Sequence, residues 1–167
     1  MKTYVKIAEL FLQEADSAQA EINLSRAAAL EKDTKDPLLQ IKYKAVQARV
    51  WDFKRKFVEA ASKYYELSLN SLMSETEKMQ ALNNALNCTI LAPAGKQRSR
   101  LLATLFKDER CQRLTAYNIL EKMYLDRIIR SNQVKEFESI LLPHQKATTA
   151  DGLLFIFQNK SNFRLIG

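Results

Sequence analysis

The side chains able to do chemistry are few and scattered. His144 is the single histidine and directly follows Pro143; the two cysteines, Cys88 and Cys111, stand far apart in the chain. A metal site draws on clustered His, Cys, Asp or Glu ligands at short fixed spacings, and this set does not supply one. Cys111 lies between Arg110 and Arg113, and cations close to a thiol lower its pKa. No histidine or second cysteine sits near it in sequence to complete a reactive pair. Cys88 falls on an apolar helical stripe and is expected as a buried thiol. His144 is expected as a surface or hydrogen-bonded loop residue. Asp108-Glu109 is an acid pair of a kind common on helix surfaces, with nothing to mark it as an acid/base couple. The glycines are Gly95, Gly152 and Gly167, which cannot form a phosphate-cradling loop. The expectation is a protein with no catalytic residue, no metal and no cofactor, and so not an enzyme.

What remains is charge. The formal net charge is +7, which suits acidic partners such as nucleic acid, an acidic protein face or anionic lipid. Lys54, Arg55 and Lys56 form one basic run. A second stretch, 96–113, carries six cations (Lys96, Arg98, Arg100, Lys107, Arg110, Arg113) against Asp108 and Glu109, a net +4. Its apolar members Leu101, Leu102, Leu105 and Phe106 read as core. Exposed aromatics interleaved with the cations, the usual platform for stacked bases, are not evident. Lys54, Arg55, Lys56, Lys96, Arg98, Arg100, Arg110 and Arg113 are therefore the candidate protein-interaction residues, ahead of a nucleic-acid site.

The elements that would carry these residues are helices. Three Gly and three Pro in 167 residues leave too little turn chemistry for a sheet-rich or loop-rich protein. Hydrophobic residues at 47% and charged residues at 27% describe a soluble globular domain. No apolar run reaches the roughly 18 residues of a membrane span. There is no signal-peptide layout at the N-terminus, and two cysteines make no disulfide framework. A reducing, intracellular setting, cytoplasmic and nuclear, is expected, with no membrane partner.

Apolar residues recur with helical period from Tyr4 to Leu12. Asp16 can cap a second helix bearing Ala20, Ile22, Leu24, Ala27, Ala28 and Leu30. Asp36-Pro37 reads as an N-cap followed by proline in the first turn, opening a third helix through Tyr43, Val46, Val50 and Trp51. After the Lys54–Lys56 turn, a fourth runs through Phe57, Ala60, Ala61, Tyr64, Leu67 and Leu69. Ser74 and Glu77 form a capping box for a fifth, which ends near Pro93. Helices are then expected over Lys96–Phe106, Leu114–Leu125 and Gln133–Leu142. The first two hairpins match each other: Tyr4, Ile7, Phe11 and Leu12 with Tyr43, Val46, Val50 and Trp51 at an offset of 39, and Ala20 and Leu24 with Ala60 and Tyr64 at 40. Repeats of this size build stacks in which each hairpin covers its neighbour. The predicted fold is all-α: about eight helices as stacked antiparallel hairpins in a tetratricopeptide-like right-handed solenoid.

Longer stretches carry a resemblance. CTILAPAGKQRSRLLATLFKDERCQRL (Cys88 to Leu114), ILEKMYLDRIIRSNQ (Ile119 to Gln133), LLPHQKATTADG (Leu141 to Gly152) and RKFVEAASKYYELS (Arg55 to Ser68) closely resemble the subunit-four family of the COP-nine signalosome, whose members are PCI-domain proteins. The likeness runs from Tyr4 to about Gly152. It implies a non-catalytic scaffold in the complex that removes the ubiquitin-like modifier from cullin-RING ubiquitin ligases, with the other signalosome subunits and the cullin–RING ligase as partners. The metal-dependent isopeptidase of that complex is a different subunit. The alternative left open by the charge is a nucleic-acid-associated or translation-type PCI module. After Gly152 the sequence departs from the family, which continues into a winged helix. The expected organisation is a helical-repeat arm over 1–150 and a divergent, poorly ordered tail over 151–167, with assembly through the winged helix in doubt.

Overall fold

The computed structural model describes residues 1–31 and 33–146 and the backbone of 165–166. Most of the predicted tail, including the apolar run Leu153 to Phe157, lies outside the described residues. Eight α-helices follow one another among them: α1 Lys2–Gln13, α2 Ser17–Ala28, α3 Pro37–Phe53, α4 Phe57–Ser68, α5 Glu75–Leu91, α6 Lys96–Lys107, α7 Tyr117–Tyr124 and α8 Ser131–Ile140. The fold is all-α. Among the described residues its one departure is a two-residue parallel pairing of β1 (Ile129–Arg130) with β2 (Leu165–Ile166).

The expected helix starts are built from the expected residues. Asp16 accepts the Gln19 backbone N–H at 3.0 Å. Asp36 accepts from Leu38 with Pro37 in the first turn. Ser74 and Glu77 exchange both bonds of the capping box. The predicted seventh helix, Leu114–Leu125, is shorter in the structure because residues 114–116 form a bend and turn, and ahead of them Glu109–Arg113 winds as a 3-10 turn capped by Asp108. Not every periodic apolar residue faces inward: Ile22, Leu38 and Leu69 are 45%, 58% and 58% exposed.

The helix ends solve the shortage of glycine in an unexpected way. Ala15, Arg55 and Asp126 adopt left-handed backbone, with φ of 59°, 59° and 51°. Each closes the same turn. The N–H of Asp16 reaches the Phe11 carbonyl at 2.8 Å, that of Lys56 reaches Trp51 at 2.8 Å, and that of Arg127 reaches Lys122 at 2.7 Å. The left-handed residue itself donates three positions back, to Leu12, Asp52 and Met123. This is the Schellman closure, usually made with glycine. The first two turns are 40 residues apart, as are Ala20 and Ala60. The turns of the first two hairpins are therefore related by 40 residues, and the sequence match at 39 between α1 and α3 is one residue out of that register. In the true register Ala8 corresponds to Ala48, both fully buried, and Leu12 corresponds to Asp52.

The core divides at α3. Val5, Ala8, Leu12, Ala20, Leu24 and Ala27 cluster with Tyr43, Val46 and Val50. A larger cluster runs from Ala48 through α4 to α8 and is centred on α5, where Leu82, Ala85, Leu86, Cys88 and Ile90 are wholly buried. Each buried aliphatic side chain there contributes about 1.5–3 kcal/mol.

Two stability outcomes follow. Truncating Leu86→Ala opens a cavity in the thickest part of the stack and should cost about 2–5 kcal/mol in urea unfolding. Ala15→Gly should raise stability by up to about 1 kcal/mol, because the left-handed turn strains a Cβ and glycine removes it.

Candidate protein-interaction surfaces

The eight predicted basic residues split into two groups. Lys54 pairs with Glu21 of α2. Arg55 lies 5.1 Å over the Phe57 ring and donates from Nη1 to the His144 carbonyl at 3.3 Å. Arg98 is buried and donates to the Ala92 carbonyl at 3.1 Å; desolvation pulls its pKa down. Arg110 donates to the Ser68 carbonyl at 2.8 Å and pairs with Asp108 at 2.7 Å. The hydrogen bond from Arg110 holds the Asp108 carboxyl below its usual range. Arg55, Arg98 and Arg110 are built into the fold, tying loops to helix ends, whereas Lys54 is exposed and holds a surface ion pair between α3 and α2. Lys56, Lys96, Arg100 and Arg113 are exposed, so the solvated cations flank α6 and mark one turn. A cation is visible in a sequence; whether an internal carbonyl or carboxylate already claims it is not.

The thiols are closed off. Cys88 is fully buried, and desolvation pushes its pKa well above the ordinary thiol value. Cys111 is pushed up to about 12, first by burial and then by Asp108, against a smaller downward pull from Arg110. The neighbouring arginines thus fail to activate it, because burial disfavours the thiolate first and the Asp108 charge adds to that, outweighing the pull of Arg110. Among the described residues no group of three His, Cys, Asp or Glu is placed to hold a metal, and no helix is long and apolar enough to cross a membrane.

His144 is not a free surface residue. Its ring stacks on Phe53 with centroids 3.9 Å apart, and Nε2 lies 3.3 Å from Asp52 Oδ1 without hydrogen-bond geometry. The neighbouring Gln145 gives Nε2 to both Asp52 oxygens, at 2.9 and 3.0 Å. Its Oε1 accepts the Leu142 N–H at 3.1 Å. Asp52 and Gln145 are each 3% exposed. The segment after α8 is therefore clamped to the end of α3, 93 positions earlier.

Beside this clamp a cavity of about 580 Å³ opens between α3, α5 and residues 142–145. Gln80, Asn83, Asn84 and Asn87 of α5 line it. They occur at i, i+3, i+4 and i+7, which places them on one helix face. This stripe was visible in the sequence as QALNNALN, but only the apolar residues between its amides entered the helical pattern.

The chain's relatives explain the arrangement's family. Residues 1–78 match the family described as PSMD12/CSN4, N-terminal. Over 150 residues, 90% of the chain, it is 57% identical to COP9 signalosome complex subunit 4 of Drosophila melanogaster. This chain belongs to the PSMD12/CSN4 family. It is 49% identical to subunit 4 of Dictyostelium discoideum over 152 residues, 91% of the chain. With the Arabidopsis thaliana subunit 4 it shares 44% over 154 residues, 88% of the chain. The matched regions make up 37%, 38% and 39% of these three relatives, so the chain spans well under half of their length. The signalosome resemblance carried by the stretches from Arg55 to Gly152 agrees with these matches.

In this family member the Asp52–Gln145 clamp should be essential to the path of 142–146. Gln145→Ala leaves a buried carboxylate without its amide donor and should cost about 1–3 kcal/mol, with faster amide exchange over 142–146. The double change Asp52→Leu with Gln145→Leu should recover much of that stability, because neither polar group is then left unpaired. The thiols yield a pH dependence. Below about pH 8.5, the ordinary cysteine value, both are protonated folded and unfolded. Above it the unfolded chain loses the protons first, so folding stability should fall as pH rises from there towards 12. Urea midpoints from pH 7 to 10 would check this, and a Cys88→Ala, Cys111→Ala variant should flatten the slope.

Proposed function

We propose that this chain is a non-catalytic scaffold arm of the COP9 signalosome. In this reading it supports removal of the ubiquitin-like modifier from cullin-RING ubiquitin ligases through protein–protein contacts. The observation that carries it is the 57% identity to a subunit 4 across nine-tenths of the chain. The stacked hairpins support the reading, because a solenoid offers a long surface on a rigid frame. So does the division of the basic residues: Lys96, Arg100 and Arg113 stay solvated and are available to acidic protein faces. The proposed partners are the other signalosome subunits and the cullin–RING ligase, in the cytoplasm and the nucleus.

The test is affinity purification of the tagged chain from cells, with signalosome subunits and cullins quantified by mass spectrometry. Both should be enriched over a tag-only control. Reversing the three solvated cations at α6 and the turn after it (Lys96→Glu, Arg100→Glu, Arg113→Glu) should weaken cullin–RING association on the order of fivefold and leave the urea midpoint unchanged, since rim charges act mainly on encounter. If no subunit is enriched, the reading fails. RNA binding that collapses between about 50 and 200 mM salt, with no subunit retained, would favour the nucleic-acid module instead.

A further inference from the structure

The cavity beside the clamp has a chemistry that the scaffold role does not use. Its α5 wall is a ladder of four carboxamides that deepens from one end to the other. Gln80 is exposed, Asn83 and Asn84 are half-buried, and Asn87 is 6% exposed. At the deep end Asn87 Oδ1 is buried without a hydrogen-bond partner. A buried acceptor is almost always satisfied, so this one calls for an N–H donor from outside the described chain. The ladder is neutral, and each rung offers one acceptor and two donors, the complement of a peptide backbone. Seven helical steps cover about 10 Å, the length of about three extended residues.

The opposite wall adds a charge. Arg49 lines the cavity from α3 and forms no salt bridge among the described residues. The Asp52 carboxylate, which also lines the cavity, accepts from the neutral Gln145 amide and is not ion-paired with Arg49, so the Arg49 guanidinium is open to an incoming acid. At the rim Ile140 and Leu142 are 37% and 50% exposed and would cover the side chains that alternate away from the ladder. The volume of about 580 Å³ falls in the range of ligand-holding clefts.

We propose that this groove binds an extended peptide segment of a partner protein, its backbone held by the Gln80–Asn83–Asn84–Asn87 ladder and a carboxylate side chain held by Arg49. This inference is independent of the signalosome reading, since it rests on the cavity alone. The basis of selection is one acid in an extended backbone, with little demand on the flanking residues.

The test uses the full 167-residue chain, labelled with ¹⁵N, and three pools of blocked heptapeptides with Asp, Asn or Lys fixed at the centre and the other positions mixed. The Asp pool should shift the side-chain amide resonances of Asn83, Asn84 and Asn87. Its apparent affinity should exceed that of the Asn and Lys pools by at least about tenfold, the scale of one charge-assisted contact. Arg49→Gln should abolish the preference for Asp, whereas Lys6→Gln, an equal loss of charge on α1, should leave it intact. Asn83→Ala, at a half-buried site, should weaken all three pools alike without changing the circular dichroism of the chain. The proposal is overturned if the side-chain amides do not respond to any pool at millimolar concentration, which would leave Asn87 to a buried water. It is equally overturned if the Asp preference survives Arg49→Gln, or if the shifts fall only on other surfaces.

Discussion

Helix α3 has to be covered on two sides at once, and the rest of the stack depends on that. Tyr43, Val46 and Val50 face the first hairpin, while Ala48, with Ile41, Ala45 and Trp51, faces the second cluster. A helix apolar on one stripe could rest at the edge of a protein. One apolar on two must lie between neighbours. The small residues at Ala8, Ala20, Ala48, Ala60 and Ala61, all wholly buried, let the backbones come close enough for the large ones to interlock. The same demand recurs at α5, so each layer is stable only because the next exists, as in any solenoid.

The second organising contact is polar. At the position where the first repeat places Leu12, the second places Asp52. A lone carboxylate in that core position would carry a heavy desolvation cost. The chain answers from 93 residues away, with the Gln145 amide on both oxygens and the His144 ring stacked on Phe53. This fastens the segment after α8 to the second hairpin and forms one wall of the amide-lined cavity. Arg110 does similar work elsewhere, holding the C-terminus of α4 through Ser68 while balanced by Asp108. Arg55, Arg98 and Arg110 are thereby engaged with carbonyls and a carboxylate of the fold.

The local devices were readable residue by residue. Asp16, Asp36 and the Ser74–Glu77 box begin helices where their side chains say they should, because capping is a contact between residues two or three apart. The repeat was readable too, but its register was blurred: Tyr4 aligns with Tyr43 by type, and the 40-residue spacing emerges only from the hydrogen bonds of the turns at Ala15 and Arg55. Left-handed closures without glycine leave no compositional mark. The 3-10 turn at Glu109–Arg113 was likewise hidden: it falls between two expected helices, and ERCQR offers no apolar period to read.

The family, the helical content and the hairpin order all rest on residue type and short-range spacing, and the sequence by itself determined them. The tertiary structure decided which cations remain free, why Cys111 stays a thiol beside two arginines, and that four amides of α5 face one cavity with Arg49. Those are questions of burial and of partners tens of positions apart. A charge or a hydrogen-bonding group has a type in the sequence, but its energy is set by what surrounds it, and that is settled only when the hairpins stack.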